Sequence, residues 1–335
     1  MTRYVVVGAG AIGATLAAVL SDHADVVTLA RGAALDHLSS YPLSFVSSHG
    51  RRSVDLTVVS ADELVLRTDD VLIAAVKSQH VAEVARDLAF RPVTGSDLPA
   101  GEILPFVTTQ NGLDAENTGA RWFTHILGST ITIAARYTRV GEVRVGGRPH
   151  LGGIFIGEPF ATTDTTVQAR TAFAAHVRAA GFLVSERDDI AHIKGAKLLH
   201  NVRNALEVLA GPDEVKTRIG EALTAEARAV FDAAGQHYTD PSVLVLDPQQ
   251  QGLDPEVDVV PGQQSTWQSF ARGADSHEVD YLNGEIARLA RIHGTSAPLN
   301  AAVQRLLGAA ARNGGGLDLS GLDELVALAS TASVS

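Results

Sequence analysis

Residues 4–31 read YVVVGAGAIGATLAAVLSDHADVVTLAR, and the fold prediction rests on this stretch. It opens with an apolar, β-branched run at 4–7, which predicts a fully buried strand. Three glycines follow within six residues, then a helical stretch from Ala14 to about Ser21, then a second apolar strand at 25–30. A strand, a glycine-rich turn, a helix and a second strand in this order predict a βαβ unit with parallel strands.

The glycine-rich turn has the spacing G-x-G-x-x-G, which is typical of dinucleotide-binding βαβ units. In that pattern Gly8 permits a tight turn, Gly10 lets the backbone approach a pyrophosphate, and Gly13 lets the helix pack closely on the strand. The start of the helix offers backbone N–H groups to the phosphates. A glycine-rich turn that binds nothing is the alternative. We expect the cofactor at Gly8, Ala9, Gly10, Ala11, Ile12 and Gly13.

The residue after the second strand distinguishes NAD(H) from NADP(H). An NAD-binding unit carries Asp or Glu there, which accepts hydrogen bonds from the ribose 2′-hydroxyl. This chain has Arg31, a cation that attracts a 2′-phosphate, so the sequence favours NADP(H) over NAD(H). A solvated surface arginine is the alternative. Lys77 follows a predicted strand, at the edge where ligands collect in open α/β sheets. It is a second candidate contact to phosphate or ribose, with an ordinary surface lysine as the alternative.

Beyond residue 31, the first half of the chain keeps alternating strands with helices, and this alternation predicts a parallel sheet covered by helices. The apolar runs predict strands at 54–59, 70–76 and 103–108, helices at 81–88 and 167–180, and antiparallel strands within 136–157.

From about residue 187 the pattern becomes almost entirely helical. The predicted helices span 188–209, 214–234, 266–293, 300–311 and 320–329, and a polar connection with four prolines spans 238–264. The fold class is therefore α/β, with an N-terminal Rossmann-type doubly wound sheet and a C-terminal all-α domain. We place the domains at residues 1–186 and 187–335.

Composition excludes several classes of function. A chain of 335 residues exceeds the usual domain size of about 150, which favours two domains. The net charge of −11, without a basic cluster, argues against nucleic acid as a partner. The chain has no cysteine, which excludes disulfides, thiolate catalysis and cysteine-based metal sites. With no apolar run of about 18 residues and no signal-peptide pattern, we expect no membrane partner and a cytoplasmic location.

A hydride transfer to a carbonyl needs a proton donor beside the developing alkoxide. Without cysteine, the candidates are lysine, histidine, tyrosine and the carboxylates. The stretch IKGAKLLHNVRNAL at 193–206 places Lys197, Asn201 and Asn204 at i, i+4 and i+7, on one face of a predicted helix. Buried polar groups need partners, and a ligand is one such partner. A solvated polar stripe is the alternative.

A second polar cluster follows the proline-containing connection. Ser265, Thr266 and Ser269 are candidate hydrogen-bond donors to a substrate carboxylate. Glu278 is a candidate acceptor for a substrate hydroxyl. Helix capping and solvent-facing charge are the alternative roles for these side chains.

Metal binding and acyl transfer find no support in the sequence. His192, His200, His277 and His293 are scattered, without the paired spacing of a zinc site. No G-x-S-x-G motif of an activated serine occurs. We therefore expect no metal ion.

Taken together, these blocks resemble the ketopantoate reductases (2-dehydropantoate 2-reductases) over nearly the whole chain. The glycine fingerprint alone is widespread, whereas the last two matching blocks are specific. In matching order and spacing the blocks are GAGAIG at 8–13, Arg31, Lys77, Gln110-Asn111-Gly112, Ala134-Ala135-Arg136, Lys197 followed by Asn201, and EVDYLNG at 278–284.

The resemblance implies NADPH-dependent reduction of 2-dehydropantoate to pantoate, a step of pantothenate biosynthesis. Lys197 matches the family's general acid, which protonates the keto oxygen, and Asn201 matches a substrate-binding amide. Asn111 matches a residue near the nicotinamide ribose, and Ala135 matches a backbone contact to the cofactor. Glu278 matches an acid that contacts the substrate hydroxyl or the cofactor.

The chain also departs from the family's pattern around the substrate. The stretch Thr266–Ser269 matches the segment that binds the substrate carboxylate, but Ser265-Thr266 stands where the family commonly has two serines. The family's second substrate asparagine falls at Ala205, with Asn204 one residue early, and a third falls near Val215. The family's glutamine three residues after the lysine is His80, with Gln79 one position early, and the connection at 238–264 is longer than usual.

Three functions follow as hypotheses. The first is an NADPH-dependent reductase of a 2-oxo acid, with ketopantoate as the leading substrate. The second is a paralogous reductase of a different, bulkier keto substrate, which the departures favour. The third is a non-catalytic protein that senses NADP, although a sensor needs only the first domain. The sequence leaves the oligomeric state open; a homodimer formed through the helical domain is one arrangement it permits.

Overall fold

A computed structural model of the chain describes residues 2–260, 262–273 and 278–332. In these residues, no helix is long and apolar enough to cross a membrane. The strands, in chain order, are β1 (Arg3–Val7), β2 (Asp25–Leu29), β3 (Leu43–Ser47), β4 (Gly50–Val54), β5 (Thr57–Val59), β6 (Leu66–Arg67), β7 (Asp70–Ala74), β8 (Val93–Thr94), β9 (Pro105–Thr108), β10 (His125–Ile133), β11 (Ala135–Arg139), β12 (Glu142–Val145), β13 (Gly147–Pro149), β14 (Gly152–Gly157), β15 (Leu183–Glu186) and β16 (Gln251–Leu253).

The α-helices divide between the sheet region and the C-terminal part of the chain. They are α1 (Ala11–Leu20), α2 (Gly32–Leu38), α3 (Val81–Ala89), α4 (Ala100–Ile103), α5 (Ala115–Gly119), α6 (Asp164–Ala179), α7 (Ile190–Asn201), α8 (Asp213–Ala234), α9 (Ser265–Ala271), α10 (Asn283–Ile292), α11 (Pro298–Arg312) and α12 (Leu322–Ala332). Short 3₁₀ helices span Ser78–His80, Asn204–Val208, Pro241–Leu244, Pro255–Val257 and Glu278–Tyr281.

The main sheet has eight strands in the order β15-β14-β10-β9-β7-β1-β2-β5. All neighbours are parallel except β10 and β14. β1 is buried along its whole length, as its apolar β-branched sequence predicts for a strand covered on both faces. The strand–helix alternation and the parallel sheet confirm the predicted fold class.

The register of the central strands brings three chain segments to one edge of this sheet. Val7 at the end of β1 pairs with Leu29 at the end of β2 and with Ala74 at the end of β7. The residues that follow these three strands therefore emerge side by side. Ligands of open α/β sheets bind at this carboxyl edge.

A second sheet was not foreseen from the sequence. It has the order β11-β12-β3-β4 and pairs strands about a hundred residues apart along the chain. The predicted strand at 54–59 was wrong in its bounds, because β4 ends at Val54 in this second sheet and β5 begins at Thr57 in the main sheet. Two consecutive strands thus serve different sheets, which a continuous apolar run does not reveal.

Contacts group the chain into two compact units. The N-terminal unit comprises the residues up to Gln110, Asp114–Ile193 and Ser242–Val259; the C-terminal unit comprises Asn111–Leu113, Lys194–Pro241 and the residues from Val260 onward. The chain passes from the N-terminal to the C-terminal unit after Ile193. Two shorter segments, 111–113 and 242–259, belong to a different unit from their neighbours along the chain. The domain boundary at residue 186 stays a prediction.

The predicted polar connection at 238–264 contains more structure than its composition indicates. Residues 242–259 belong to the N-terminal unit, where β16 pairs with β13. Leu244 is buried in a small apolar cluster with Phe155 and Ile190. The segment is therefore a packed part of the N-terminal unit.

The C-terminal unit is helical, and its longest helix, α8, ends at Gly235 in the left-handed conformation (φ 63°), where glycine is favoured.

Two predicted helices are interrupted. The one at 188–209 ends as α7 at Asn201 and continues as the 3₁₀ helix 204–208. The one at 266–293 is divided into α9, the 3₁₀ helix 278–281 and α10.

Candidate active site

The glycine turn has the geometry that its spacing predicts. Gly8 has φ 103°, a conformation that side-chain-bearing residues rarely adopt. A Cβ on Gly13 would lie 1.8 Å from the carbonyl oxygen of Gly8, so only glycine lets α1 pack this closely on the turn. A Cβ on Gly10 would have no atom within 4 Å, so the space beside this residue is open. The turn thus combines a tight backbone with an open face.

The N-terminus of α1 lies at this open face. Gly10 is its N-cap and no described side chain caps the helix there. Ala9 is buried, while Ala11 and Ile12 are partly exposed. Backbone N–H groups at an uncapped helix start are suited to anionic groups such as a pyrophosphate. These residues fit a dinucleotide.

Arg31 lies two residues beyond β2, at the same carboxyl edge as the glycine turn. Its side chain is 73% exposed, and its Nη1 lies 3.7 Å from Oε1 of Glu83, which is 58% exposed. An exposed pair of this length contributes only about 0–1 kcal/mol. The guanidinium can therefore exchange this partner for a more highly charged phosphate.

Lys77 follows β7 at this edge, and Gln110 fixes the backbone that precedes it. The Gln110 side-chain Nε2 donates to the carbonyl oxygens of Ala74 (2.7 Å) and Val76 (2.8 Å). Lys77 itself is partly buried at the start of the 3₁₀ helix 78–80. The buried Gln110 is a positioning residue whose role the sequence analysis did not identify, since it depends on the pairing of β7 with β9.

The remaining two cofactor candidates lie in different units. Ala135 is the first residue of β11 in the N-terminal unit and is partly buried. Asn111 belongs with the C-terminal unit. Next to it, a Cβ on Gly112 would lie 2.5 Å from the carbonyl oxygen of Tyr281. The segment that carries Asn111 thus contacts the 3₁₀ helix that begins with Glu278.

Lys197 lies on α7 in the C-terminal unit and has a perturbed ammonium group. Burial, followed by the charge of Lys194, lowers the pKa of Lys197 to about 7, although the Glu278 carboxylate opposes this shift. By surface area Lys197 is only partly buried, whereas Lys194, one turn earlier, is 3% exposed. A lysine with a pKa near neutrality can give up a proton at physiological pH.

Asn201 and Glu278 complete the polar group around Lys197. Asn201 is one turn after Lys197 on α7, as predicted, and its buried Nδ2 has no hydrogen-bond partner among the described residues. Glu278 is buried and near enough for its charge to act on Lys197. A buried amide N–H without a partner costs about 1–3 kcal/mol, which a bound ligand would recover.

Asn204 does not share the helical face predicted for it, because α7 ends at Asn201. It begins the 3₁₀ helix 204–208, where it is buried, and this 3₁₀ helix packs against α9. On α9, Thr266 is buried and Ser265 is partly exposed. The hydroxyl of Ser269 donates to the carbonyl oxygen of Ser265 (2.9 Å), which uses the proton of Ser269 inside the helix.

Glu207, which the sequence did not single out, lies beside the candidate substrate residues of α9. It lies on the 3₁₀ helix 204–208, and its Oε2 accepts a hydrogen bond from the backbone N–H of Gln264 (3.0 Å). Burial raises the pKa of the Glu207 carboxyl. No sequence signal pairs residues 57 positions apart.

The histidines form no metal site within the described parts of the chain. His192 and His200 both lie on α7, eight residues apart, and His293 follows α10. No group of three metal-binding side chains was found in those parts. His277 lies outside the described residues.

A doubly wound sheet with a glycine turn, followed by a helical unit that carries a lysine of lowered pKa, is the two-part architecture of a dinucleotide-dependent enzyme. Family models identify the family. Residues 4–159 match the ketopantoate reductase PanE/ApbA family, and residues 190–311 match its C-terminal model. The chain belongs to the ketopantoate reductase family, a family of oxidoreductases. The resemblance stated from the sequence is confirmed.

Solved structures share the fold along almost the whole chain. A PanE/ApbA family ketopantoate reductase from Ralstonia eutropha JMP134 is 22% identical (TM-score 0.69), covering 97% of this chain and 100% of that one. D-mandelate dehydrogenase, solved with NADH and anilino(oxo)acetate, is 17% identical (TM-score 0.73; 97% and 100%). The dimeric ketopantoate reductase from Staphylococcus aureus is 18% identical (TM-score 0.66; 93% and 100%). A sequence search of curated proteins found no match.

Proposed function

We propose that this protein reduces the keto group of a 2-oxo acid to a hydroxyl with NADPH, and that ketopantoate is its substrate. The observation that carries the proposal is the pair on α7. Lys197 has a pKa lowered to about 7, and one turn later the buried Nδ2 of Asn201 has no partner among the described residues. A proton donor beside an unsatisfied amide donor is what a carbonyl substrate requires.

In this proposal each residue has a defined task. Bound NADPH supplies the hydride for the substrate's keto carbon. Lys197 donates a proton from Nζ to the keto oxygen, and Asn201 donates a hydrogen bond from Nδ2 to a substrate oxygen. Glu278 stabilises the ammonium form of Lys197, because its charge raises the pKa that burial and Lys194 lower. Asn204, Ser265, Thr266 and Ser269 are the remaining proposed substrate residues.

The proposed cofactor residues are those of the carboxyl edge. The open face at Gly10 and the uncapped start of α1 accommodate the pyrophosphate. Arg31 contacts the 2′-phosphate, which favours NADPH although the D-mandelate dehydrogenase structures contain NADH. Lys77, Asn111 and Ala135 contact the ribose and nicotinamide portions in this proposal, following the family's pattern.

One experiment tests the function directly. Oxidation of NADPH is followed by its absorbance with a panel of 2-oxo acids that includes ketopantoate, for the wild type and for Lys197→Ala. We expect turnover with ketopantoate, and a loss of about 10²-fold or more in kcat for the variant while NADPH still binds. Lys216→Ala, on α8, is the matched control. Near-normal turnover of Lys197→Ala would exclude Lys197 as the acid, and inactivity with every acid would favour the NADP-sensing alternative.

A second candidate is a related reductase of a different keto acid. It is favoured by the residues around Asn204, where Ala205 stands in the family's asparagine position and Glu207 brings a carboxyl to α9. The same panel separates the two candidates, because a paralogous reductase would have its highest kcat/KM with another 2-oxo acid.

We also propose a homodimer, because a structurally similar ketopantoate reductase is described as dimeric. Light scattering on the purified protein is the test. A mass near twice 35.1 kDa is expected, and a mass near 35.1 kDa at all concentrations would reject the dimer.

A further inference from the structure

The carboxyl of Glu207 lies where two groups of proposed substrate residues meet. Glu207 is on the 3₁₀ helix 204–208, and its Oε2 is 3.0 Å from the backbone nitrogen of Gln264. Gln264 is the N-cap of α9, and Ser265 follows it directly. The carboxyl is therefore held at the end of α9 that carries Ser265 and Thr266.

The same carboxyl is also aligned with Asn204. A 3₁₀ helix has three residues per turn, so side chains three positions apart project from the same face. Asn204 and Glu207 have this spacing in the 3₁₀ helix 204–208. Glu207 thus lies one turn from Asn204. Its hydrogen-bond partner, Gln264, directly precedes Ser265.

No basic side chain on the two packed elements neutralises Glu207. Among the described residues of the 3₁₀ helix 204–208 and α9, Glu207 is the only ionisable side chain. The nearest charged groups along these elements are Arg203, whose Nε donates to Thr224 Oγ1, and Arg272 at the C-cap of α9. Burial raises the pKa of Glu207, and the Gln264 N–H only partly offsets this. Glu207 is thus a partly buried carboxyl whose hydrogen-bond partner is an uncharged backbone N–H.

We infer that Glu207 determines substrate specificity: it accepts a hydrogen bond from a hydroxyl or amino group on the side chain of the 2-oxo acid and repels a second carboxylate there. This inference rests on the proposed function, because it uses the substrate residues Asn204 and Ser265. The substrate class that it defines is a 2-oxo acid with a hydrogen-bond donor beyond the keto group. Ketopantoate, which carries a hydroxyl, belongs to that class.

The test compares kcat/KM for three 2-oxo acids with NADPH in excess: ketopantoate, the apolar 4-methyl-2-oxopentanoate, and 2-oxoglutarate with its second carboxylate. Glu207→Gln keeps an acceptor for the Gln264 N–H but removes the charge. It should raise the ratio of 2-oxoglutarate to ketopantoate by about tenfold or more. Glu207→Leu removes the acceptor and should raise the ratio of 4-methyl-2-oxopentanoate to ketopantoate by about tenfold. Glu221→Gln, an exposed change on α8, should alter neither ratio.

A pH series separates this role from a structural one. As pH rises through the raised pKa of Glu207, its carboxyl becomes charged, so the ratio of 2-oxoglutarate to ketopantoate should fall in the wild type. The ratio should stay flat in Glu207→Gln, and titration of Lys197 cancels because it affects both substrates. Ratios unchanged in both variants, with ketopantoate still reduced, would overturn the inference alone. Failure of the wild type to reduce any 2-oxo acid would overturn the proposed function and this inference with it.

Discussion

The side-chain amide of Asn283 donates to the backbone carbonyl of Val202 over 2.9 Å, which joins the start of α10 to the end of α7. Val202 directly follows Asn201. The same amide donates to Oδ1 of Asn300, whose backbone and side chain in turn donate to Glu226. A buried polar network therefore anchors the end of the helix that carries Lys197 and Asn201.

We expect Asn283→Ala to lower the free energy of unfolding by about 1–3 kcal/mol, since it leaves the Val202 carbonyl and Asn300 Oδ1 without a donor. Urea denaturation measures this change. Asn313→Ala, at an exposed position after α11, should cost no more than about 0.5 kcal/mol. Equal effects of the two substitutions would show that the network does not stabilise the C-terminal unit.

Local sequence patterns predicted the parts of this structure that depend on neighbours along the chain. The glycine turn requires only residues 8–13 and the strand before them, and Lys197 and Asn201 share a face because one helix carries both. For residues within one turn or one helix, the separation along the sequence determines their spacing in the structure. The prediction for Asn204 was wrong, because α7 ends at Asn201, three residues before Asn204 and eight before the predicted end at 209.

Features that depend on distant contacts were not predictable in this way. The second sheet pairs β3 with β12. Residues 242–259 pack with the N-terminal unit, although the segments before and after them along the chain belong to the C-terminal unit. The sequence alone indicates an ordinary surface glutamate at Glu207, and only the structure shows its hydrogen bond from the Gln264 N–H. Such contacts are set by tertiary packing, which overrides local propensity.

The pH dependence of reduction should report the charges around Lys197. The general acid must be protonated, and burial lowers the pKa of Lys197 to about 7, so kcat/KM should be constant at lower pH and fall as pH rises through about 7. Lys194→Met removes a like charge and should move this falling limb to higher pH. Glu278→Gln removes the opposing charge and should move it to lower pH. Lys216→Met is the control, and shifts of both variants in one direction would contradict the assignment.

Arg31 should contribute to the binding of NADPH but not of NADH. We expect Arg31→Ala to raise the Kd for NADPH by about tenfold or more, because a charge-assisted contact to the 2′-phosphate is lost, and to change the Kd for NADH little. Titration of nicotinamide fluorescence gives both constants. Arg86→Ala, exposed on α3 in the same unit, controls for the loss of a positive charge. Equal losses for the two cofactors would remove Arg31 from the 2′-phosphate.

Gly10 and Gly13 have opposite surroundings, so the same substitution should separate cofactor binding from folding. Gly13→Ala forces a methyl group to within 1.8 Å of the Gly8 carbonyl oxygen, and we expect it to cost about 1–3 kcal/mol or more in the free energy of unfolding. Gly10 has φ −83°, which alanine adopts readily, and its Cβ would enter open space. Gly10→Ala should therefore change the free energy of unfolding by less than about 0.5 kcal/mol yet weaken NADPH binding, because its methyl group occupies the space proposed for the pyrophosphate. Denaturation and cofactor titration on both variants give the comparison, and unimpaired NADPH binding by Gly10→Ala would mean that the pyrophosphate does not pass the open face of the turn.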